Sequence, residues 1–375
     1  MKIAVIRQKY VNYGGAEKLS VEFARLMAKA GHEIHIFANQ WSPSSHPNIH
    51  FHKVPVIKLN SYLRFLSFAW FAKQQVKRER FDIIQSHERT LCQDIFWAAD
   101  GSHKEWLERR REYLFPAKRL LVALNPFHRL VLKYEKAIFA QGNYKKIVAI
   151  SEMVKKNILK HYDIPQDDIV VFYNGVNLEK FHPRNKTQYR DPIRKQLDIP
   201  EHALLLMYTG SGFERKGLKF LLQSLEFLEK KEWRLLAVGK GNWKRYLAFA
   251  PAEAREKIIC LDPVNDIEKY YAAADVFILP SIYDPFGIVS LEAQAASLPV
   301  VVSRFCGAAE IIEHGHNGLV VEDPGRPREI AEKINLLFDP SLRQRMGEEA
   351  RKLAENYPDK NFAEQIIGLY KELVG

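Results

Sequence analysis

Two carboxylates with seven residues between them, Asp284 and Glu292, lie in the stretch Asp275 to Pro299, where an apolar run gives way to a loop and then to an apolar helix. A helix start presents unpaired backbone amides, and with the helix dipole these form a natural diphosphate site. Phe286, Gly287 and Ile288 are placed to supply such amides. Glu292 sits among Leu291, Ala293, Ala295 and Ala296, where a charge needs a partner and ribose hydroxyls are suitable donors. A solvated helix face is the plainer reading of the same pair.

A second group is Thr209-Gly210-Ser211-Gly212-Phe213-Glu214-Arg215-Lys216-Gly217, after one predicted strand and before a helix. Arg215 and Lys216 are cations able to neutralise the charge that grows on a leaving nucleotide, although such a pair is often only surface. Gly14-Gly15 separates the first strand from the first helix, where glycine lets the backbone approach a ligand. A GxGxxG fingerprint is absent, which counts against a dehydrogenase. Two further strand ends carry polar groups, His87-Glu88 and Asp100 with His103; Asp100 reads equally well as a capping or turn residue. No two aspartates have D-x-D spacing, and Cys92, Cys260 and Cys306 form no CxxC, so no metal site is expected.

The elements that position these residues follow a strand-helix rhythm. Strands are predicted at Ile3 to Ile6, Ile34 to Phe37, Phe81 to Ile84, Ile95 to Ala99, Ile147 to Ile150 and Ile169 to Phe172, with a helix over Ala16 to Ala30. A proline-punctuated stretch from Phe181 to Pro200 reads as a linker. A second series follows at Leu204 to Tyr208, Arg234 to Val238, Ile258 to Leu261, Val276 to Leu279, Val300 to Ser303 and Gly318 to Val321. The expected class is α/β, two Rossmann-like domains whose parallel sheets face a central cleft.

The chain has 375 residues, enough for two domains, and 47% hydrophobic content, enough to build their cores. Its net charge of +11 is uneven: residues 1 to 180 hold 29 Lys and Arg against 17 Asp and Glu, the remainder 27 against 28. An anionic partner therefore meets the N-terminal half, whether lipid, nucleic acid or phosphorylated acceptor. Four apolar residues before Arg7 are too few for a signal peptide, so the expected place is the cytoplasm. Bases and aromatics alternate from Tyr62 to Arg78 and from Trp106 to Lys133, a pattern of interfacial helices or of core helices with a solvated face.

The Asp284-to-Glu292 segment resembles the acidic, seven-residue, acidic motif of retaining glycosyltransferases with the GT-B fold, in the large family 4 type. Asp284 stands where many members have Glu. The resemblance implies that Asp284 hydrogen-bonds the donor sugar, Glu292 the ribose, and Arg215 and Lys216 the diphosphate. It makes Gly14-Gly15 a loop over the diphosphate and sugar, and Tyr173-Asn174-Gly175-Val176-Asn177 the crossing between domains. It divides the chain into an acceptor-binding domain at 1–172, a nucleotide-sugar domain at 173–357, and a C-terminal helix at 358–375 packing back on the first.

Many members carry His where Asp100 stands. Ala98-Ala99-Asp100, Lys9-Tyr10 through Gly15, and Ala137 to Gly142 resemble the lipopolysaccharide core glucosyltransferases. Asp100 then becomes a catalytic candidate, with His87, Glu88 and His103 on the acceptor side. The reaction implied is retaining, metal-independent hexosyl transfer from UDP-glucose, or from GDP-mannose or another UDP-hexose, to a lipid-anchored glycan at the inner membrane face. Nucleic acid is not an expected partner, and no cofactor is expected because the nucleotide sugar is a substrate. The competing expectations are a sugar-nucleotide epimerase and a basic membrane- or RNA-binding protein.

Overall fold

The computed structural model describes residues 1–10, 23–41 and 46–375. Gly14 and Gly15, with much of the helix predicted over Ala16 to Ala30, lie outside the described residues. The chain separates into two compact units, Met1–Tyr173 with Lys360–Gly375, and Asn174–Asp359.

The first unit carries β1 (Lys2–Ile6), β2 (Lys9–Tyr10), β3 (Glu33–Ala38), β4 (Gln40–Trp41), β5 (Ile49–Lys53), β6 (Ile83–Ser86), β7 (Ile95–Ala98), β8 (Lys146–Ala149) and β9 (Ile169–Val171). Seven of them form a parallel sheet in the order β5-β3-β1-β6-β7-β8-β9, and β2 and β4 pair separately. Central strands covered on both faces read as continuous apolar runs, and Ile3, Ala4, Val5 and Ile6 are fully buried. The edge strand β5, Ile-His-Phe-His-Lys, lacks such a run and was not among the predicted strands. The third strand begins two residues later than predicted, since Phe81 and Asp82 precede the ladder. The helix Asp359–Val374 supplies Phe362 against Trp97 and Tyr370 against Phe23.

The second unit carries β10 (Leu204–Thr209), β11 (Trp233–Val238), β12 (Ile258–Leu261), β13 (Val276–Leu279), β14 (Val300–Ser303) and β15 (Leu319–Val321), parallel and ordered β12-β11-β10-β13-β14-β15. The stretch predicted as a linker is instead part of this unit. Asn185–Gln196 is helical despite Pro192, and Arg190 and Arg194 each donate to Asp275 at 2.7 Å, just before β13. Prolines and charges hid a helix whose stability comes from buried charge-assisted bonds rather than an apolar stripe.

In both sheets the strand order reverses once, between β1 and β6 and between β10 and β13. Beyond the carboxyl ends of the strands at such a point lies the crevice where open α/β sheets bind ligands.

Candidate functional site

The segments after β10 and β13 bring the two C-terminal motifs together. Lys216 Nζ donates to Asp284 Oδ2 at 2.8 Å, and their side chains are 12% and 7% exposed. Ile282 N donates to Arg215 O at 2.9 Å, tying the two loops backbone to backbone. Gly217 makes this approach possible: its φ is 70°, and a Cβ there would stand 1.8 Å from Pro280 O.

Asp284 is fixed by a second layer. Its amide donates to Phe305 O at 2.8 Å, and its carbonyl accepts from Gly307 N at 2.9 Å. Burial alone would raise the Asp284 carboxyl, but Lys216, Arg215 and the Phe286 amide hold it below its ordinary value. Gly287, at φ 78°, opens the helix Ile288–Ala295 with no side-chain cap. A Cβ on it would come within 2.4 Å of Cys306 Sγ, so this turn too requires glycine.

On that helix, Glu292 Oε2 accepts from the Tyr271 hydroxyl at 3.2 Å, which also lies 3.1 Å from Val289 O and 3.3 Å from Thr209 Oγ1. Burial and the neighbouring Glu292 carboxylate keep Tyr271 protonated. Tyr271 is fully buried yet places its one hydroxyl beside Glu292, and a tyrosine within an alanine-rich run was the available signal. The site therefore combines two cations, a paired carboxylate, a helix start and a partly exposed carboxylate eight positions on.

The first unit has its own polar group. Glu88 Oε1 accepts from Gln8 N at 2.9 Å at the reversal between β1 and β6. Burial and nearby Asp100 raise the Glu88 carboxyl, against Arg7. His87 Nε2 faces Gln85 Nε2 at 2.8 Å, which makes the ring nitrogen the acceptor. Burial and Arg7 push this imidazole well below its ordinary value, so it is neutral. Asp100 is exposed in the turn after β7. His103 starts the helix His103–Glu112, with its Nε2 3.1 Å from His128 Nδ1, and burial and Arg89 depress it to about 3.

Two residues here escaped the sequence reading. Glu135 is fully buried, accepts from Arg89 Nη2 at 3.0 Å, Tyr162 Oη at 2.6 Å and the His103 amide at 2.8 Å, and so anchors the start of the His103 helix. A carboxylate in line with Val131 and Ile138 on one helical face was the missed signal. Arg89 follows His87 and Glu88 directly and reaches Gly101 O at 3.2 Å. Gln8, Arg64, Phe65, Glu88, Arg89 and His103 line a pocket of about 210 Å³. A larger groove of about 940 Å³ by Phe227, Phe249 and Arg328 contains none of the candidate residues.

The basic-aromatic segments differ from each other. Ser61–Val76 is a core helix, burying Phe68, Ala69, Ala72 and Val76. Pro116–Leu124 buries no residue at all, and Phe115, Leu120, Leu121 and Leu124 are 75%, 62%, 68% and 58% exposed beside Lys118 and Arg119. Among the described residues no helix is long and apolar enough to cross a membrane.

Comparison with known proteins gives the family. Residues 13–180 match Glycosyltransferase Family 4, and residues 189–353 match Glycosyl transferases group 1. The chain belongs to the GT-B glycosyltransferases. It is 24% identical to the lipopolysaccharide glucosyltransferase WaaG of Escherichia coli over 95% of this chain and 94% of that one. The crystal structure of WaaG, a glycosyltransferase involved in lipopolysaccharide biosynthesis, superposes with a TM-score of 0.87 at 24% identity, covering 98% of this chain and 99% of that chain. A glycosyltransferase of Methanocaldococcus jannaschii is 25% identical over 99% of this chain and 98% of its own. HepE of Anabaena in complex with UDP-glucose shares the GT-B fold at TM-score 0.75 and 17% identity, over 99% of this chain and 100% of that chain.

Proposed function

We propose that this GT-B glycosyltransferase moves a hexose, glucose from UDP-glucose in the first instance, to a lipid-anchored glycan of the lipopolysaccharide-core kind, with retention at the anomeric carbon and without a catalytic metal ion. The observation that carries the donor side is the Lys216–Asp284 pair at the strand-order reversal, directly ahead of the helix bearing Glu292. Arg215 and Lys216 offset the diphosphate charge, aided by the Gly287 and Ile288 amides. Asp284 accepts from a sugar hydroxyl and Glu292 from the ribose. The acceptor oxygen attacks the anomeric carbon on the face from which the diphosphate leaves, and a departing phosphate oxygen takes the acceptor's proton.

WaaG is named a lipopolysaccharide glucosyltransferase and HepE binds UDP-glucose; both support this donor over GDP-mannose. The pocket at Glu88, Arg89 and His103 is the proposed acceptor side, with Asp100 nearby. The uncovered helix Pro116–Leu124 supports attachment to the cytoplasmic face of an anionic inner membrane. The test is UDP release from UDP-glucose in EDTA, with and without a lipid-linked core acceptor, and the anomeric configuration of the product by NMR. Release that requires acceptor and gives retention supports the reading. Sugar interconversion without acceptor indicates an epimerase, and strict dependence on added divalent ion overturns the metal-free mechanism.

A further inference from the structure

The first unit holds a histidine cluster that the glycosyl-transfer reading does not use. Strand alternation puts Glu33 and His35 on one face of β3, and His50 and His52 on one face of β5. The register pairs His35 with His50, so both sets share a face of the sheet. His35 Nε2 lies 2.7 Å from Glu33 Oε1, His50 Nε2 lies 3.9 Å from the same oxygen, and the three ligand atoms all fall within 4.8 Å of one another. Around a tetrahedral zinc ion with bonds near 2.0–2.1 Å, neighbouring ligand atoms are about 3.3 Å apart, so sub-ångström to ångström shifts suffice.

We propose that Glu33, His35 and His50 form a zinc site that clamps the edge strand β5 to β3. Two imidazoles and a carboxylate suit zinc, and they leave the fourth position to water. His35 is 6% exposed and rigidly held, whereas the side chains of Glu33 and His50 are nearly half exposed and give the ion a way in. The outer partner is already present: His35 Nδ1 is 2.8 Å from His52 Nε2. With zinc on His35 Nε2, the one hydrogen of the neutral ring stands on Nδ1, which donates it to His52 Nε2.

Two other clusters make useful contrasts, because a lysine already fills each. Glu79, beside His35 and His52, binds Lys2 Nζ at 2.9 Å; Glu105 and Glu108, beside His161, bind Lys160 Nζ at 2.8 and 2.9 Å. The proposed site lies toward the amino ends of its strands, away from the carboxyl-end crevice, so the ion is structural and takes no part in transfer.

The untagged full chain, stripped with chelator, is titrated with zinc against a chromophoric competitor, and with cobalt for the visible bands of tetrahedral coordination. One zinc per chain, with a rise in Tm, is expected. His50→Ala, at an exposed position where folding survives, should weaken binding more than the roughly 10–100-fold expected for His52→Ala. His202→Ala, in the second unit, should change nothing. No binding at one equivalent, or affinity unchanged in both His50→Ala and Glu33→Gln, overturns the site. Donor binding and transfer are measured separately and should persist in the stripped protein, so failure here is distinguishable from failure of the enzymatic reading.

Discussion

Lys216 and Asp284 meet at 2.8 Å although 67 residues separate them, because the strands that lead to them, β10 and β13, are neighbours in the sheet. Removing the ammonium in Lys216→Met strips a buried carboxylate of its ion-pair partner and leaves Arg215 as the nearby cation. The expected cost is about 3–5 kcal/mol. Replacing both partners, with Lys216→Met and Asp284→Asn, should recover much of that stability without recovering transfer. Denaturant melts and UDP-glucose turnover measure the two effects, and a double variant no more stable than the single would mean that the pair is not coupled.

Tyr271→Phe should separate positioning from packing. The ring stays and the hydroxyl that faces Glu292, Val289 O and Thr209 is lost, at about 1 kcal/mol of stability. If that hydroxyl orients Glu292 toward ribose, affinity for UDP falls several-fold while the circular dichroism spectrum is unchanged. Calorimetry on the purified variant checks it; wild-type UDP affinity would return Tyr271 to the core.

These two positions show where the sequence was and was not legible. The strands β10 to β15 are apolar runs between glycine and proline turns, and their positions could be read within a residue or two. Lys216 and Asp284 were legible because each closes a strand-turn-helix motif. Glu135, Arg89 and Tyr271 were not, since a buried polar group within an apolar helix or strand end declares itself only when its partner from a distant segment is known. The helix Asn185–Gln196 was hidden for the same reason, its arginines having meaning only beside Asp275.

Acid should act first through the buried histidines His87 and His103. Burial and Arg7 hold His87 well below its ordinary value, and burial and then Arg89 depress His103 to about 3, so below pH 6.5 the unfolded chain takes up protons that the folded one refuses. Stability therefore falls as pH falls from about 6.5 towards 3, by at most about 1.4 kcal/mol per pH unit from each of these groups. Asp284 contributes in the same direction but lower, its share being lost as pH falls through its depressed folded value. His103→Gln should flatten the upper part of the profile in urea melts at pH 7 to 4.5. A slope equal to the wild type there would assign the acid sensitivity elsewhere.

Membrane attachment, finally, can be assigned to one helix. Apolar residues of Pro116–Leu124 lie bare beside Lys118 and Arg119, whereas Arg109 is engaged by Glu105 at 2.9 Å and Glu112 at 3.5 Å and has less charge to offer a surface. Burying apolar side chains at the lipid boundary adds to roughly 1 kcal/mol for each basic residue near anionic lipid, so both sets should matter. Replacing Leu120, Leu121 and Leu124 by Ser should lower co-sedimentation with anionic vesicles even at low salt. Replacing Lys118 and Arg119 by Gln should abolish the preference for anionic over neutral vesicles and the weakening by added salt. Neither change touches a buried residue, so nucleotide binding and Tm should hold. Equal binding of the wild type to neutral and anionic vesicles, or serine variants that sediment like the wild type, would reject the helix as the anchor and leave the excess of positive charge in the first 180 residues to a soluble anionic acceptor.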